Sequence, residues 1–204
     1  EVCIPVNRKV AAEYLDAIGN GGVVWRGQTV AFGDEDMVRL ARDSGCVELA
    51  IGVESVDSDS VLEISNKPSK SIEQSRRYIE VLKKYGIKVK VCLVMGLPGE
   101  SEHVLERTLR FLEEMEPDFA AVSAFDPVPG SEFHKRRQEF GIIEIDEDYA
   151  KHAHLVYRYG DREEVGLPFR FADKAEWGNP LSRDVILENL KTVQSYLRDR
   201  SMVY

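Results

Sequence analysis

The sequence predicts an α/β protein that forms part of a parallel (β/α) barrel, followed by a mainly helical C-terminal extension. Two observations predict this fold class. Segments of strand character alternate with amphipathic helical segments over the first two-thirds of the chain, and successive βα units place their strands side by side in a parallel sheet. Blocks containing glycine, proline and acidic residues follow several strands, at the end of a barrel where chemistry takes place.

Four strands and three intervening helices are predicted between residues 23 and 125. The strands are a run that begins at Val23–Trp25, then Val47–Val53, Val89–Met95 and Phe119–Phe125. The helices are Asp34–Asp43, Ser71–Tyr85 and a segment from Ser101 to Met115 that Pro117 terminates. Each helix carries apolar residues at helical spacing and starts at an acidic or hydroxyl residue, a typical helix start.

The two ends of the chain do not follow this alternation of strands and helices. Val10–Ile18 has helical periodicity but follows no recognised strand, so we expect its strand to lie upstream and the third strand of the barrel to form an open edge. Residues 1–141 are predicted to form the partial barrel and residues 142–204 the extension. Within the extension, helices are predicted over Asp146–Tyr159 and Ser182–Arg198.

Composition excludes some classes of partner. The net charge of −9 argues against a general nucleic-acid surface, which needs clustered Lys and Arg. No apolar run reaches the roughly 18–20 residues that span a bilayer. The three cysteines (Cys3, Cys46 and Cys92) are far apart, which predicts reduced thiols in a cytoplasmic protein rather than disulfides or a metal site. His152 and His154 face different sides of a helix and predict no metal site either.

Alternate residues of a strand point to opposite faces, and this strand parity predicts one face with bulky side chains and one with small side chains. In the second strand, Val47, Leu49, Ile51 and Val53 share the face expected against the helices. Ala50 and Gly52 share the other face with Glu54, which stands at its open end. A carboxylate above two small residues is well placed to accept hydrogen bonds from ligand hydroxyls, although an ion pair at the rim explains Glu54 equally well.

The neighbouring strands give the same division. Cys92 and Val94 face inward in the third strand, before a Gly96–Gly99 turn whose glycines allow close approach of a ligand. Arg26 and Gln28 share one face of the first strand, where they are candidates for substrate contact or are simply exposed. Lys67 is a candidate cation for a carboxylate, and a solvated lysine is its alternative.

Four motifs, in order, resemble the radical S-adenosylmethionine (radical SAM) superfamily, in particular the branch with methylthiotransferases and cobalamin-dependent members. They are GVES at Gly52–Ser55, the following LEISNK ending at Lys67, GLPGES at Gly96–Ser101 and PVPGS at Pro127–Ser131. The resemblance covers roughly residues 22–141. It implies an enzyme that binds SAM on a [4Fe–4S] cluster and reductively cleaves it to a 5′-deoxyadenosyl radical.

The resemblance also implies site residues. Glu54 matches a residue that contacts the SAM ribose, and Lys67 matches one that holds the methionine carboxylate. Val94 matches the position against the adenine, with Cys92 one inward position below it. Asp126 and Pro127 end the family's sixth strand near the adenine.

The sequence also departs from the family. The cluster motif CxxxCxxC and the Gly-Gly-Glu segment are missing, and Val30 stands where an Arg is common. We therefore expect a fragment, strands three to six of the barrel, that binds neither cluster nor SAM tightly and is inactive alone. Its substrate is unknown, and two copies are expected to pair at the open sheet edge. The alternative is a degenerate or iron-independent barrel that acts as a binding module or a non-radical enzyme.

Overall fold

Five parallel strands in chain order form the centre of the protein, as seen in a computed structural model that describes residues 2–5, 7–30, 34–66, 71–148 and 167–203. The strands are β1 (Val2–Cys3), β2 (Trp25–Val30), β3 (Cys46–Glu54), β4 (Lys88–Met95) and β5 (Phe119–Ala124). Each pairs in parallel with the next, and β1 and β5 occupy opposite edges of the sheet. The predicted fold class, a partial parallel barrel, is confirmed.

Helices connect the strands and cover one face of the sheet. They are α1 (Arg8–Gly19), α2 (Glu35–Asp43), α3 (Asp59–Ile64), α4 (Ile72–Lys84), α5 (Val104–Met115), α6 (Glu132–Lys135) and α7 (Arg183–Asp199). Among them α1, α2, α4, α5 and α7 pack against one another in that order. Within the described residues, no helix is both long enough and apolar enough to cross a bilayer.

Burial alternates along the strands as predicted. Leu49, Ile51 and Val53 of β3 are at most 1% exposed and form part of the core between the sheet and the helices, whereas Ala50 and Gly52 on the other face are half-buried. Val47 is an exception to the predicted parity. Trp25 pairs with Cys46 and the next residue of β2 pairs with Glu48, so Val47 falls in a bulge and is 43% exposed.

The chain contains a strand that was expected upstream of it. Val2 and Cys3 form β1, which pairs with Gly27 and Gln28 of β2, and the Ile4 N–H donates to the Gln28 carbonyl at 3.0 Å. The prediction that β2 is the open edge is therefore wrong. Two residues are too few to give a recognisable strand period in the sequence. Pairing between copies at a sheet edge stays a prediction, and it now concerns β1.

The C-terminal extension packs against the sheet. Helix α7 lies against β5 and α5, and the Ala120 N–H of β5 donates to the Met202 carbonyl at 2.8 Å after α7 ends. An antiparallel pair not predicted from the sequence, β6 (Ile142–Ile145) and β7 (Phe169–Phe171), precedes α7. Of the predicted helix Asp146–Tyr159, residues 146–148 are not helical and residues 149–159 lie outside the described part, as do His152 and His154.

Gly45, between α2 and β3, is a position where only glycine fits. Its φ is +96°, and a Cβ there would lie 2.2 Å from the Val23 carbonyl oxygen. We expect Gly45→Ala to lower the free energy of unfolding by about 3 kcal/mol, because left-handed strain adds to a clash with backbone. Gly86→Ala is the control, since Gly86 has a φ of +69° but no atom within 4 Å, and it should cost about 1 kcal/mol. Urea denaturation measures both values. Equal losses of unfolding free energy in the two variants would contradict a steric clash at position 45.

Candidate functional site

The carboxyl ends of β3, β4 and β5 meet at one edge of the sheet, above an inner face lined by small side chains. Gly52 pairs with Cys92, and Cys92 pairs with Ala121; one level higher, Val94 pairs with Ser123. Gly52, Cys92, Val94 and Ser123 are all half-buried, on the face that the helices do not cover. This end of the inner face therefore has room for a ligand.

Glu54 lies at the top of this face. Its φ is +69°, a left-handed conformation that few non-glycine residues adopt. Its carboxylate folds back over Gly52, where an added Cβ would lie only 2.8 Å from Glu54 Oε1. The glycine at position 52 thus makes space for the carboxylate, and the predicted inward position of Glu54 above small residues is confirmed.

Cys92 and Val94 of β4 occupy the inner face, as parity predicted. Burial raises the pKa of the Cys92 thiol; the nearby Lys90 ammonium lowers it and the Glu54 carboxylate raises it. Cys46 lies in the core, where burial raises its pKa to about 12. Cys92 is thus half-accessible at the site, whereas Cys46 is shielded and Cys3 is exposed.

Asp126 and Pro127 follow β5 next to this edge. The Phe125 N–H donates to the Met95 carbonyl at 2.7 Å, which carries the β4–β5 pairing one residue beyond the strand. Asp126 is half-buried and Pro127 is buried. Aromatic rings support the turn from behind: Phe125 packs edge-on against Phe133 and Phe169, with ring centroids 4.9 and 5.2 Å apart.

The other three predicted residues are placed differently. Arg26 and Gln28 are exposed on the inner-face side of β2, but Arg26 pairs with Glu48, six residues before Glu54. At about 3.3 Å per residue, Arg26 lies roughly 20 Å down the sheet from Glu54. Their contact with substrate stays a prediction. Lys67 lies outside the described residues.

A buried carboxyl group, Glu100, joins the loops that follow β3 and β4. Its side chain is 2% exposed; Oε1 accepts from the Ser55 hydroxyl at 2.8 Å, and Oε2 accepts from the Gly96 N–H at 2.7 Å. Burial raises the pKa of Glu100 to about 8; the bonds from Ser55 and Gly96 lower it, and the Asp57 charge raises it. Burial thus favours the protonated form of Glu100, whereas the two donated bonds favour its carboxylate.

Asp57 forms a second link between the same loops. One carboxylate oxygen accepts from the Ser101 N–H at 2.8 Å; the other accepts from the Ser101 hydroxyl and from Arg107 Nη1, both at 2.9 Å. Ser101, predicted to cap α5, thus bonds to Asp57, and the helix begins later, at Val104. We call Ser55, Asp57, Glu100, Ser101 and Arg107 the loop clamp. Apart from two acidic residues in loops, nothing in the sequence indicated the loop clamp.

Metal ligands are not assembled in this region. Within residues 2–5, 7–30, 34–66, 71–148 and 167–203, no three His, Cys, Asp or Glu side chains come together to hold a metal ion. An iron–sulfur cluster would therefore need ligands other than the described side chains. The described part of the site presents the Glu54 carboxylate, which can accept hydrogen bonds from ligand hydroxyl groups, beside small and apolar side chains.

Comparison with known protein families decides the classification. The family model described as the radical SAM superfamily matches residues 6–112, a stretch that begins before α1 and ends within α5. The chain belongs to the radical SAM superfamily. This family assignment confirms the resemblance that the four motifs predicted.

The chain is also similar to curated members of known activity. It is 29% identical over 141 residues to the anaerobic magnesium-protoporphyrin IX monomethyl ester cyclase of Rubrivivax gelatinosus, covering 67% of this chain and 24% of the relative. It is 26% identical over 133 residues to the bacteriochlorophyllide d C-12(1)-methyltransferase of Chlorobaculum tepidum, covering 64% and 29%. The chain thus spans less than a third of the length of these two relatives.

Solved structures show the same fold. Coproporphyrinogen III oxidase (HemN) from Escherichia coli, described as a radical SAM enzyme, superposes over 95% of this chain and 37% of its own, with a TM-score of 0.63 and 14% identity. The radical SAM methyltransferase TsrM from Kitasatospora setae, with tryptophan and a SAM analogue bound, covers 72% of this chain and 31% of its own, with a TM-score of 0.56 and 14% identity.

Proposed function

We propose that this chain is the part of a radical SAM enzyme that holds the ribose and adenine of SAM. The observation that carries the proposal is the Glu54 carboxylate, which folds over Gly52 at the carboxyl end of the inner face. A carboxylate accepts hydrogen bonds from the two ribose hydroxyls, and its half-buried position strengthens those bonds relative to bulk water.

The neighbouring strands supply the rest of the nucleoside surface. Val94 gives an apolar contact for the adenine ring, and Ser123 beside it on β5 leaves space above the sheet. Asp126 and Pro127, which follow β5, are proposed to border the adenine on that side of the site. Lys67 is proposed to hold the methionine carboxylate, and Arg26 and Gln28 to contact substrate.

The whole enzyme is proposed to perform radical chemistry. When bound to a [4Fe–4S] cluster, SAM supplies a 5′-deoxyadenosyl radical that abstracts hydrogen from a substrate. The curated relatives are named for different reactions, a cyclisation and a methyl transfer, so the proposal covers only the SAM step. Because this sequence contains no CxxxCxxC motif, we propose that the chain by itself does not cleave SAM.

Protection of Cys92 from alkylation tests the nucleoside site. In a Cys3→Ser background, Cys92 is the accessible thiol among the described cysteines, since Cys46 is 0% exposed. We expect millimolar S-adenosylhomocysteine to slow iodoacetamide labelling of Cys92 several-fold. Labelling at a pH near 9 offsets the raised pKa of the Cys92 thiol.

Two variants make the protection specific. Glu54→Gln should reduce it, because a neutral amide accepts more weakly from ribose hydroxyls than a carboxylate does. Glu48→Gln is the matched control, since Glu48 lies on the same strand and face but six residues lower, and it should leave protection unchanged. Labelling of Cys92 at the same rate with and without S-adenosylhomocysteine would overturn the proposal and favour the degenerate barrel.

A further inference from the structure

The loop clamp sits directly behind the two backbone positions that define the proposed site. Ser55 follows Glu54 in sequence, and its hydroxyl donates to Glu100. Gly96 follows β4, and its N–H donates to the other oxygen of the same carboxyl group. A single buried side chain therefore fixes the residue next to Glu54 and the turn above Val94 relative to each other.

Asp57 repeats this arrangement one step further from the sheet. Asp57 belongs to the loop after β3, and its carboxylate accepts two hydrogen bonds from Ser101 in the loop after β4. Arg107 of α5 donates to the Asp57 backbone carbonyl at 2.5 Å and to its carboxylate at 2.9 Å. The charged groups that face Glu100 are thus Asp57 directly and Arg107 through Asp57.

Glu54 needs such support. A non-glycine residue at a φ of +69° is disfavoured by roughly 1 kcal/mol or more and persists only when its surroundings hold it. Glycine at position 54 would relieve the strain but would remove the carboxylate. The bonds that anchor the following residue run from Ser55 N–H to Val53 and from Ser55 Oγ to Glu100.

We propose that Glu100, with Asp57 behind it, is a positioning residue that holds the Glu54 carboxylate and the Gly96 turn in the geometry that receives the adenosine group of SAM. This inference rests on the proposed function. Glu100 is 2% exposed, so the role proposed for it is exerted through its bonds to Ser55 and Gly96. In its protonated form, Oε2 accepts from Gly96 while the acid O–H can donate to Ser55 Oγ, so both links survive without a charge.

The test measures amide hydrogen exchange and S-adenosylhomocysteine affinity on the same samples. Glu100→Ala should speed exchange at Glu54, Ser55 and Gly96 at least tenfold and weaken the affinity by a similar factor. Glu100→Gln, whose amide can make both links, should restore both quantities. Ser55→Ala removes one link with little risk to folding and should give an intermediate effect. Glu102→Ala is the control, since the neighbouring Glu102 side chain is 85% exposed.

The outcomes separate the two proposals. Faster exchange in Glu100→Ala and Ser55→Ala with weaker binding supports the inference. Unchanged exchange and affinity in both variants overturn it, even if the parent chain binds S-adenosylhomocysteine well. A parent chain that shows no binding overturns the proposed function. Hydrogen exchange then tests the positioning role alone, which is overturned if exchange at Glu54 and Gly96 does not rise in Glu100→Ala. A Glu100→Gln variant that behaves like Glu100→Ala also overturns the inference.

Discussion

Asp57→Ala is expected to lower the free energy of unfolding by about 3 kcal/mol. The Asp57 side chain is 2% exposed and accepts three hydrogen bonds, one of them from the Arg107 guanidinium. Removing one partner of a buried ion pair typically costs about 3–5 kcal/mol, and the lower figure applies because Arg107 is 42% exposed and water can solvate part of it. Urea denaturation followed by circular dichroism measures the loss.

The same helix provides the control. Glu106 and Arg110 form an ion pair in α5 at i,i+4 spacing, with both side chains at least 60% exposed. Glu106→Ala should therefore cost no more than about 0.5 kcal/mol. A double-mutant cycle with Arg107→Met should show coupling with Asp57 of more than about 1 kcal/mol. If Asp57→Ala cost no more than Glu106→Ala, the link between the two loops would not contribute to stability.

Much of the site could be predicted because strand parity is a local property. Successive residues of a strand point to opposite faces, so the alternation of bulky and small residues in β3 and β4 showed which face the helices cover. Cys92 and Val94 were placed correctly on the inner face for this reason. Glu54 follows a shift in the β3–β4 register, and its carboxylate reaches the inner face by folding back over Gly52. The order of the motifs then gave the family, which the family model confirmed over residues 6–112.

The features that the sequence did not reveal depend on contacts between distant residues. The Ser55–Glu100 and Asp57–Ser101 bonds join residues 45 and 44 positions apart. An acidic residue after a Gly-Leu-Pro-Gly turn is most simply read as exposed, since Glu is rarely fully buried unless it has partners. The bulge at Val47 is likewise invisible without the register of β2, and β1 is too short to show a pattern.

Glu100→Gln is expected to remove a large pH dependence of stability. Burial raises the pKa of Glu100 from 4.5 to about 8 in the folded protein, so between those pH values the unfolded chain releases this proton and the folded chain keeps it. The folded state then binds more protons than the unfolded state, and stability falls as pH rises. The linkage relation gives a slope of about 1.4 kcal/mol per pH unit for one proton.

The difference in unfolding free energy between the parent chain and Glu100→Gln isolates this effect, because every other group titrates in both proteins. As the pH rises from about 5 to 8, we expect the parent chain to lose several kcal/mol of unfolding free energy relative to Glu100→Gln. The difference should level off above pH 8. Glu102→Gln, the same substitution at a neighbouring side chain that is 85% exposed, is the matched control. A flat difference for Glu100→Gln would mean that Glu100 is already ionised in the folded protein at neutral pH. The Ser55 and Gly96 bonds would then stabilise a carboxylate, and the clamp would hold a buried charge next to Asp57.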